Sequence, residues 1–254
     1  MSDYHVPVLL HASVDGLAIK EDGVYVDLTF GGGGHSKEIL NRLGPKGRLI
    51  AFDQDVDAWK NAPDDRRFSL VRGNFRYLRN YLRYLEVIPV DGVLADLGVS
   101  GHHFDAFGRG FSFRGDAPLD MRMNPSGKLT ASKVLNDYSE GRLVGILKEY
   151  GEVKNARKVV SAIVSARSKG AMQTTGDLVR IVEPHKGRLQ EKKFLAMVFQ
   201  AIRIEVNQEV AALNEMLRDL PKVLGSGARA SVISYHSLED RLVKRCFRGD
   251  DTDE

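Results

Sequence analysis

Cysteine is almost missing: Cys246 is the only one in 254 residues. A lone thiol closes no intrachain disulfide and founds no cysteine zinc site, which fits a reducing cytoplasm, and it reads as a buried, inert side chain. No apolar run approaches the roughly 18 residues of a bilayer-spanning helix, and the first residues show no basic start leading into an apolar stretch, so neither anchor nor leader is expected. The seven histidines are mostly isolated and lack metal-ligand spacing, so no metal is expected. Internal repeats and low-complexity tracts are lacking too. What remains is an ordinary globular composition, 43% hydrophobic, in a chain long for one compact domain and short for two. One domain carrying an insertion is expected.

Charge is unevenly spread. Residues 1–104 hold 12 Lys and Arg against 14 Asp and Glu, residues 105–192 hold 16 against 10, and residues 193–254 hold 9 against 10. The middle segment therefore carries an excess of six positive charges within a net charge of +3. Clustered cations bind phosphates through counterion release, so a polyanionic substrate is one reading; a solvated helical surface is the other.

The most informative stretch runs from Val24 to Ser36, VYVDLTFGGGGHS. An apolar strand meets four glycines, which permit backbone angles and approach distances that a Cβ forbids. Ile39, Leu40 and Leu43 then recur at helical spacing, so the loop opens onto a helix N-terminus with free amide donors. A second apolar run, Arg48 to Phe52, ends in Asp53, 19 residues beyond Gly34. A carboxylate at about that distance suits a ribose diol, and adenosine-type cofactors are favoured. Two compete, a nicotinamide dinucleotide and S-adenosyl-L-methionine. The spacing departs from G-x-G-x-x-G, with Ser36 and His35 where a pyrophosphate wants small residues, which favours S-adenosyl-L-methionine.

Strands and helices alternate through the first hundred residues: strands at 24–28, 48–53, 67–72 and 91–97, with helices at 35–43, 56–61 and 75–85 between them. This predicts an α/β fold with a doubly wound parallel sheet, its ligands lying outside the carboxyl ends of the strands. Gly31 to Gly34, Asp53 and Asp96 should converge there, with Phe75 near enough to stack on an adenine. Residues 105–128 read as an ordered loop near the site and residues 131–163 as a small helical module. Helical spacing continues over 197–210, a β-rich stretch covers 229–235, and a last helix over 237–247 is capped by Ser237 with Asp240. The expected division is 1–104 with 193–254 as the cofactor-binding domain, and 105–192 as an inserted, mostly helical, basic substrate-recognition domain.

Several segments together carry a resemblance: HVPVLL at His5 to Leu10, DLTFGGGGHS at Asp27 to Ser36, DLGVS at Asp96 to Ser100, RGFSF at Arg109 to Phe113, PLDMRM at Pro118 to Met123, FQAIRIEVN at Phe199 to Asn207 and HSLEDR at His236 to Arg241. In kind and order they resemble the MraW family of ribosomal RNA small-subunit methyltransferases, which methylate N4 of a cytidine in 16S rRNA, and the likeness covers nearly the whole chain. The resemblance implies a Rossmann-like class I methyltransferase sheet and S-adenosyl-L-methionine contacts at Gly33, Gly34, His35, Asp53, Phe75 and Asp96. It implies a further contact at His103, where the family usually carries glutamine. It also implies 16S rRNA as partner, within the small ribosomal subunit, in the cytoplasm, with monomer and homodimer both open.

The exocyclic amine of cytosine needs orientation and a proton acceptor, and Asp96, Ser100 or the backbone carbonyls of Leu97 to Val99 after the fourth strand are the candidates by analogy with other amino-methyltransferases. Arg109, Arg114 and Arg122 are candidate substrate contacts; pairing of these arginines with Asp116 and Asp120 is the structural alternative. Two other functions compete: a nicotinamide-dependent oxidoreductase, and a noncatalytic RNA-binding protein on a methyltransferase scaffold.

Overall fold

The computed structural model of the protein describes residues 7–98 and 107–250. They form two compact units, one within Met1–Gly98 and Val210–Glu254, the other within Val99–Glu209.

The first unit is built on five parallel strands: β1 (Val24–Asp27), β2 (Arg48–Asp53), β3 (Phe68–Arg72), β4 (Val90–Asp96) and β5 (Leu224–Ile233), in spatial order β3-β2-β1-β4-β5. Alternate residues of each strand point to opposite faces. On one face Val26, Ile50, Phe52, Val93 and Ala95 pack with Leu78 and Leu82 of α3 (Leu78–Tyr84). Leu213, Met216, Leu217 and Leu220 of α9 (Glu209–Val223) and Val243 of α10 (Ser237–Arg248) complete that layer. On the other face Tyr25, Leu49 and Leu94 pack with Val14 of α1 (Leu10–Gly16) and with Ile39 and Leu40 of α2 (Gly34–Arg42). Helices on both faces of a parallel sheet make this the doubly wound, Rossmann-like α/β architecture that the alternation predicts.

Differences lie at element ends. The helix expected over 56–61 is a short 3₁₀ turn, Ala58–Asn61. Strand β5 starts at Leu224, directly from α9. The cap of α10 is His236, not Ser237: His236 Nδ1 accepts from the Glu239 amide at 3.4 Å, and Ser237 is the first helical residue.

The second unit is a helical cluster of α4 (Ala131–Asp137), α5 (Glu140–Glu149), α6 (Ala156–Arg167), α7 (Thr175–Val182) and α8 (Glu191–Asn207). Phe194, Leu195, Val198, Phe199, Ala201 and Ile202 of α8 share one core with Val134, Leu147, Val159, Ile163 and Leu178. The compact division therefore falls after Glu209 and not at 192, because α8 buries its apolar side in the helical cluster. Asn207 Nδ2 donates to the Met121 carbonyl at 2.8 Å and its Oδ1 accepts from the Met123 amide at 2.7 Å, so FQAIRIEVN ends by holding PLDMRM.

Candidate functional site

Strand β1 ends in Asp27, which is fully buried. Its Oδ2 accepts from Ser36 Oγ at 2.7 Å and its Oδ1 from the Thr29 amide at 3.1 Å, fastening the strand end to the first turn of α2. Burial raises the Asp27 carboxyl above the usual carboxylate range, against the lowering effect of these two bonds and of nearby His35.

Between them runs the glycine loop. Gly31 and Gly33 take positive φ, 50° and 77°, and Gly33 stands at the N-cap of α2 in the left-handed region. A Cβ on Gly34 would lie 2.2 Å from Pro7 Cγ, so this glycine makes room for the chain at Pro7. Among the described residues the helix start has no side-chain cap, and its first-turn amides, as in any helix, lack intrahelical partners.

Asp53 ends β2, next to that loop. Its Oδ2 accepts from the Gly31 amide and its Oδ1 from the Asp55 amide, both at 2.8 Å. Asn61 Nδ2 donates to the Gly31 carbonyl at 3.1 Å, and Trp59 Nε1 to the Asp53 carbonyl at 3.0 Å. The glycine loop and the second-strand carboxylate are joined by a direct hydrogen bond. A carboxylate presents about four lone-pair sites in all, the kind of acceptor that suits a diol. Phe75 lies just past β3 in a 3₁₀ turn, half-buried against the sheet core.

Asp96 ends β4 and is itself tied to β1, since its amide donates to Thr29 Oγ1 at 2.7 Å. Its Oδ1 accepts from Tyr235 Oη at 2.7 Å, and its Oδ2 lies 3.9 Å from His35 Nδ1. His35 is buried, with Nε2 3.4 Å from Ser13 Oγ. Burial raises the Asp96 carboxyl; the Tyr235 hydroxyl and His35 pull it down, while Asp27 and Glu239 push it further up. Burial, the Asp96 hydrogen bond and the charges of Asp96 and Glu239 raise the Tyr235 phenol well above its ordinary value.

Gly33, Gly34, His35, Asp53 and Asp96 therefore stand together at the carboxyl ends of β1, β2 and β4. Ser100 and His103 lie outside the described residues. Asp27, Ser36, Tyr235 and Glu239 are site members that the sequence reading left out; the strand-final position of Asp27 was a usable signal, whereas nothing local marked Tyr235.

The arginines divide. Arg122 gives Nε to Asp120 Oδ1 at 2.8 Å and Nη2 to Asp120 Oδ2 at 2.6 Å, and Nη1 to the carbonyls of Pro125 and Gly127, each at 2.7 Å. Burial alone would raise Asp120, but Arg122 and Arg109 hold its carboxyl below the ordinary value. Arg109 Nη2 donates to the carbonyls of Arg122 and Met123. These donors order the loop, as in the structural alternative, with Asp120 as the acid. Asp116 accepts from the Gly176 amide instead. Arg114 is exposed, and among the described residues its guanidinium has no intramolecular bond.

Among the described residues no group of three His, Cys, Asp or Glu could hold a metal, and no helix is long and apolar enough to cross a membrane. Relatives carry the name ribosomal RNA small subunit methyltransferase H: one from Bacteroides thetaiotaomicron is 58% identical over 96% of this chain and 81% of its own length. Another from Parabacteroides distasonis is 57% identical over 97% of this chain and 81% of its own, and one from Christiangramia forsetii 54% over 98% and 82%. A family model matches residues 2–254, and the chain belongs to the MraW methylase family.

Proposed function

We propose that this chain transfers a methyl group from S-adenosyl-L-methionine to the exocyclic N4 of a cytidine in 16S rRNA, in the decoding region of the small subunit, and that it works in the cytoplasm. Relatives named as small-subunit rRNA methyltransferases support the reaction class. The observation that carries the cofactor reading is the bond from Asp53 to the Gly31 amide, which puts an acceptor for a ribose diol beside a glycine loop opening onto a helix start. Gly33 and Gly34 offer backbone, His35 and Asp96 offer polar groups, and Phe75 offers a ring on which an adenine can stack. The second unit, which contains the whole basic segment, is the substrate-recognition part in this reading.

Bound S-adenosyl-L-methionine supplies an electrophilic methyl on a sulfonium. The protein's work is orientation. The cytosine amine is a weak nucleophile because its lone pair is delocalised into the ring, and a carboxylate accepting one of its N–H bonds draws that pair out of conjugation. Asp96 is one acceptor at the end of β4, and its Oδ2 is the oxygen that the Tyr235 hydroxyl does not occupy. The base must be unstacked to reach it, which single-stranded or loop RNA makes easiest.

Incubation with a methyl-labelled donor and small subunits lacking the modification, followed by nucleoside analysis, tests the reading. N4-methylated cytidine is the expected product. Label on another nucleoside refutes the base assignment, and no label at all refutes the activity.

A further inference from the structure

The segment HSLEDR enters the fold as a capped helix, yet its first turn also anchors a residue of the site. Tyr235 follows the end of β5, is 54% exposed, and reaches Asp96 Oδ1 with its hydroxyl at 2.7 Å. Its backbone is fixed from below. The Tyr235 amide donates to Oε2 of Glu239, a glutamate only 5% exposed, at 2.9 Å. His236 Nε2 sits 3.1 Å from Glu239 Oε1, near enough for attraction though off the line of a hydrogen bond. A buried carboxylate held this way costs stability unless its bonds are well made, so Glu239 does more than cap a turn. It sets where the phenol stands.

We propose that Tyr235 is a positioning residue for methyl transfer: by occupying Asp96 Oδ1 it fixes the carboxylate plane and commits Oδ2 to the acceptor amine. This rests on the role given to Asp96 above. A lone carboxylate on a half-open strand end rotates about its last torsion. Here two contacts restrain it, the Tyr235 hydroxyl on Oδ1 and His35 3.9 Å from Oδ2, while the Asp96 amide bonded to Thr29 Oγ1 holds the backbone beneath it. Among the described residues the titratable groups facing Asp96 are Asp27 at the end of β1, His35 on α2, and Tyr235 and Glu239 after β5. Of these, Tyr235 is the one that donates a hydrogen bond to the carboxylate. Its loss removes stabilisation of the charged form, so Asp96 then holds its proton to higher pH.

The test is Tyr235→Phe, which keeps the ring and removes the donor, with Tyr235→Ala as a second variant. Carbon-13 NMR titration of labelled aspartate, with the Asp96 signal identified by its loss in Asp96→Asn, should show the Asp96 titration moved upward in Tyr235→Phe in the ligand-free protein. The kcat for methyl transfer should fall about tenfold while acceptor KM and calorimetric affinity for S-adenosyl-L-methionine stay within twofold, as expected for one lost hydrogen bond that acts on geometry. The acid limb of the kcat profile should move to higher pH in step with the titration. An unmoved Asp96 titration, or an unchanged kcat and acid limb, overturns the proposal. Full activity in Asp96→Asn would instead overturn the role of Asp96, whatever Tyr235→Phe does to the titration.

Discussion

Asp27 and Asp53 end neighbouring strands, but their surroundings give them opposite work. Asp53 is half-buried and accepts two backbone amides, whereas Asp27 is sealed in and accepts Ser36 Oγ and the Thr29 amide. If Asp53 holds a ribose diol, Asp53→Ala removes that acceptor and also frees the Gly31 amide. Binding of S-adenosyl-L-methionine should weaken by about 2 kcal/mol, roughly thirtyfold, in titration calorimetry; an unchanged affinity would remove the ribose assignment. Asp27 is tested through stability. Its folded carboxyl titrates above the ordinary carboxylate value, so the native state binds the proton more tightly than the unfolded chain, and its contribution is full at low pH and declines as pH rises through the raised value. Asp27→Asn has no such proton. Urea unfolding of the two proteins from about pH 4 upward should therefore show the stability of Asp27→Asn relative to the parent improving with pH. A flat or falling difference would mean that Ser36 and Thr29 outweigh burial.

The loop within 107–128 shows how an element without regular structure becomes fixed. Gly110 takes φ 72°, and a Cβ there would lie 2.2 Å from the Pro118 carbonyl oxygen; Met121, fully buried, takes φ 58°. Arg122 joins the pieces through Asp120 and two carbonyls. Arg122→Ala should lower the stability of this unit by about 2 kcal/mol, visible as a lower thermal midpoint and faster proteolysis within the loop, because it strands a partly buried Asp120. Arg114→Ala should change stability by less than about 0.5 kcal/mol and instead weaken binding of a 16S rRNA fragment. If the two variants behaved alike in both assays, the division between them would fail. The strands that carry the site were legible because β-branched and aromatic runs such as VYV at 24–26 alternate with helical spacing in the chain. The loop's arginines were not: Arg109, Arg114 and Arg122 look equivalent in sequence, and only the backbone path, which turns the carbonyls of Pro125 and Gly127 toward Arg122, separates them. Tyr235 was equally hidden, since its bond to Asp96 spans 139 positions.

Across the whole molecule, periodicity shows that a helix exists but not whose core it joins, which is why the second boundary was expected near 193 and lies after Glu209. Charge is read more directly, because a sum over a segment survives folding. The excess in the basic segment needs a face on which to act, and α6 supplies one: Arg157, Lys158, Ser161 and Ser165, with His185 from the 3₁₀ turn Glu183–His185, line a depression of about 470 Å³ that includes no acidic side chain. Among the described residues Arg157 and Lys158 have no ion-pair partner, unlike Lys186 nearby, which pairs with Glu183 and Glu191. Cations already neutralised by carboxylates release few counterions when RNA arrives; unpaired ones release their full share. The double variant Arg157→Gln, Lys158→Gln should therefore bind a 16S rRNA fragment more weakly at low salt and show a log affinity against log salt slope shallower by roughly one to two. Its fold should be intact, since both side chains are exposed and such substitutions move stability by about 0.5 kcal/mol or less. Fluorescence anisotropy across a potassium chloride series reads the slope. A slope equal to that of the parent would make this face a solvated helix surface and move RNA contact elsewhere in the basic segment.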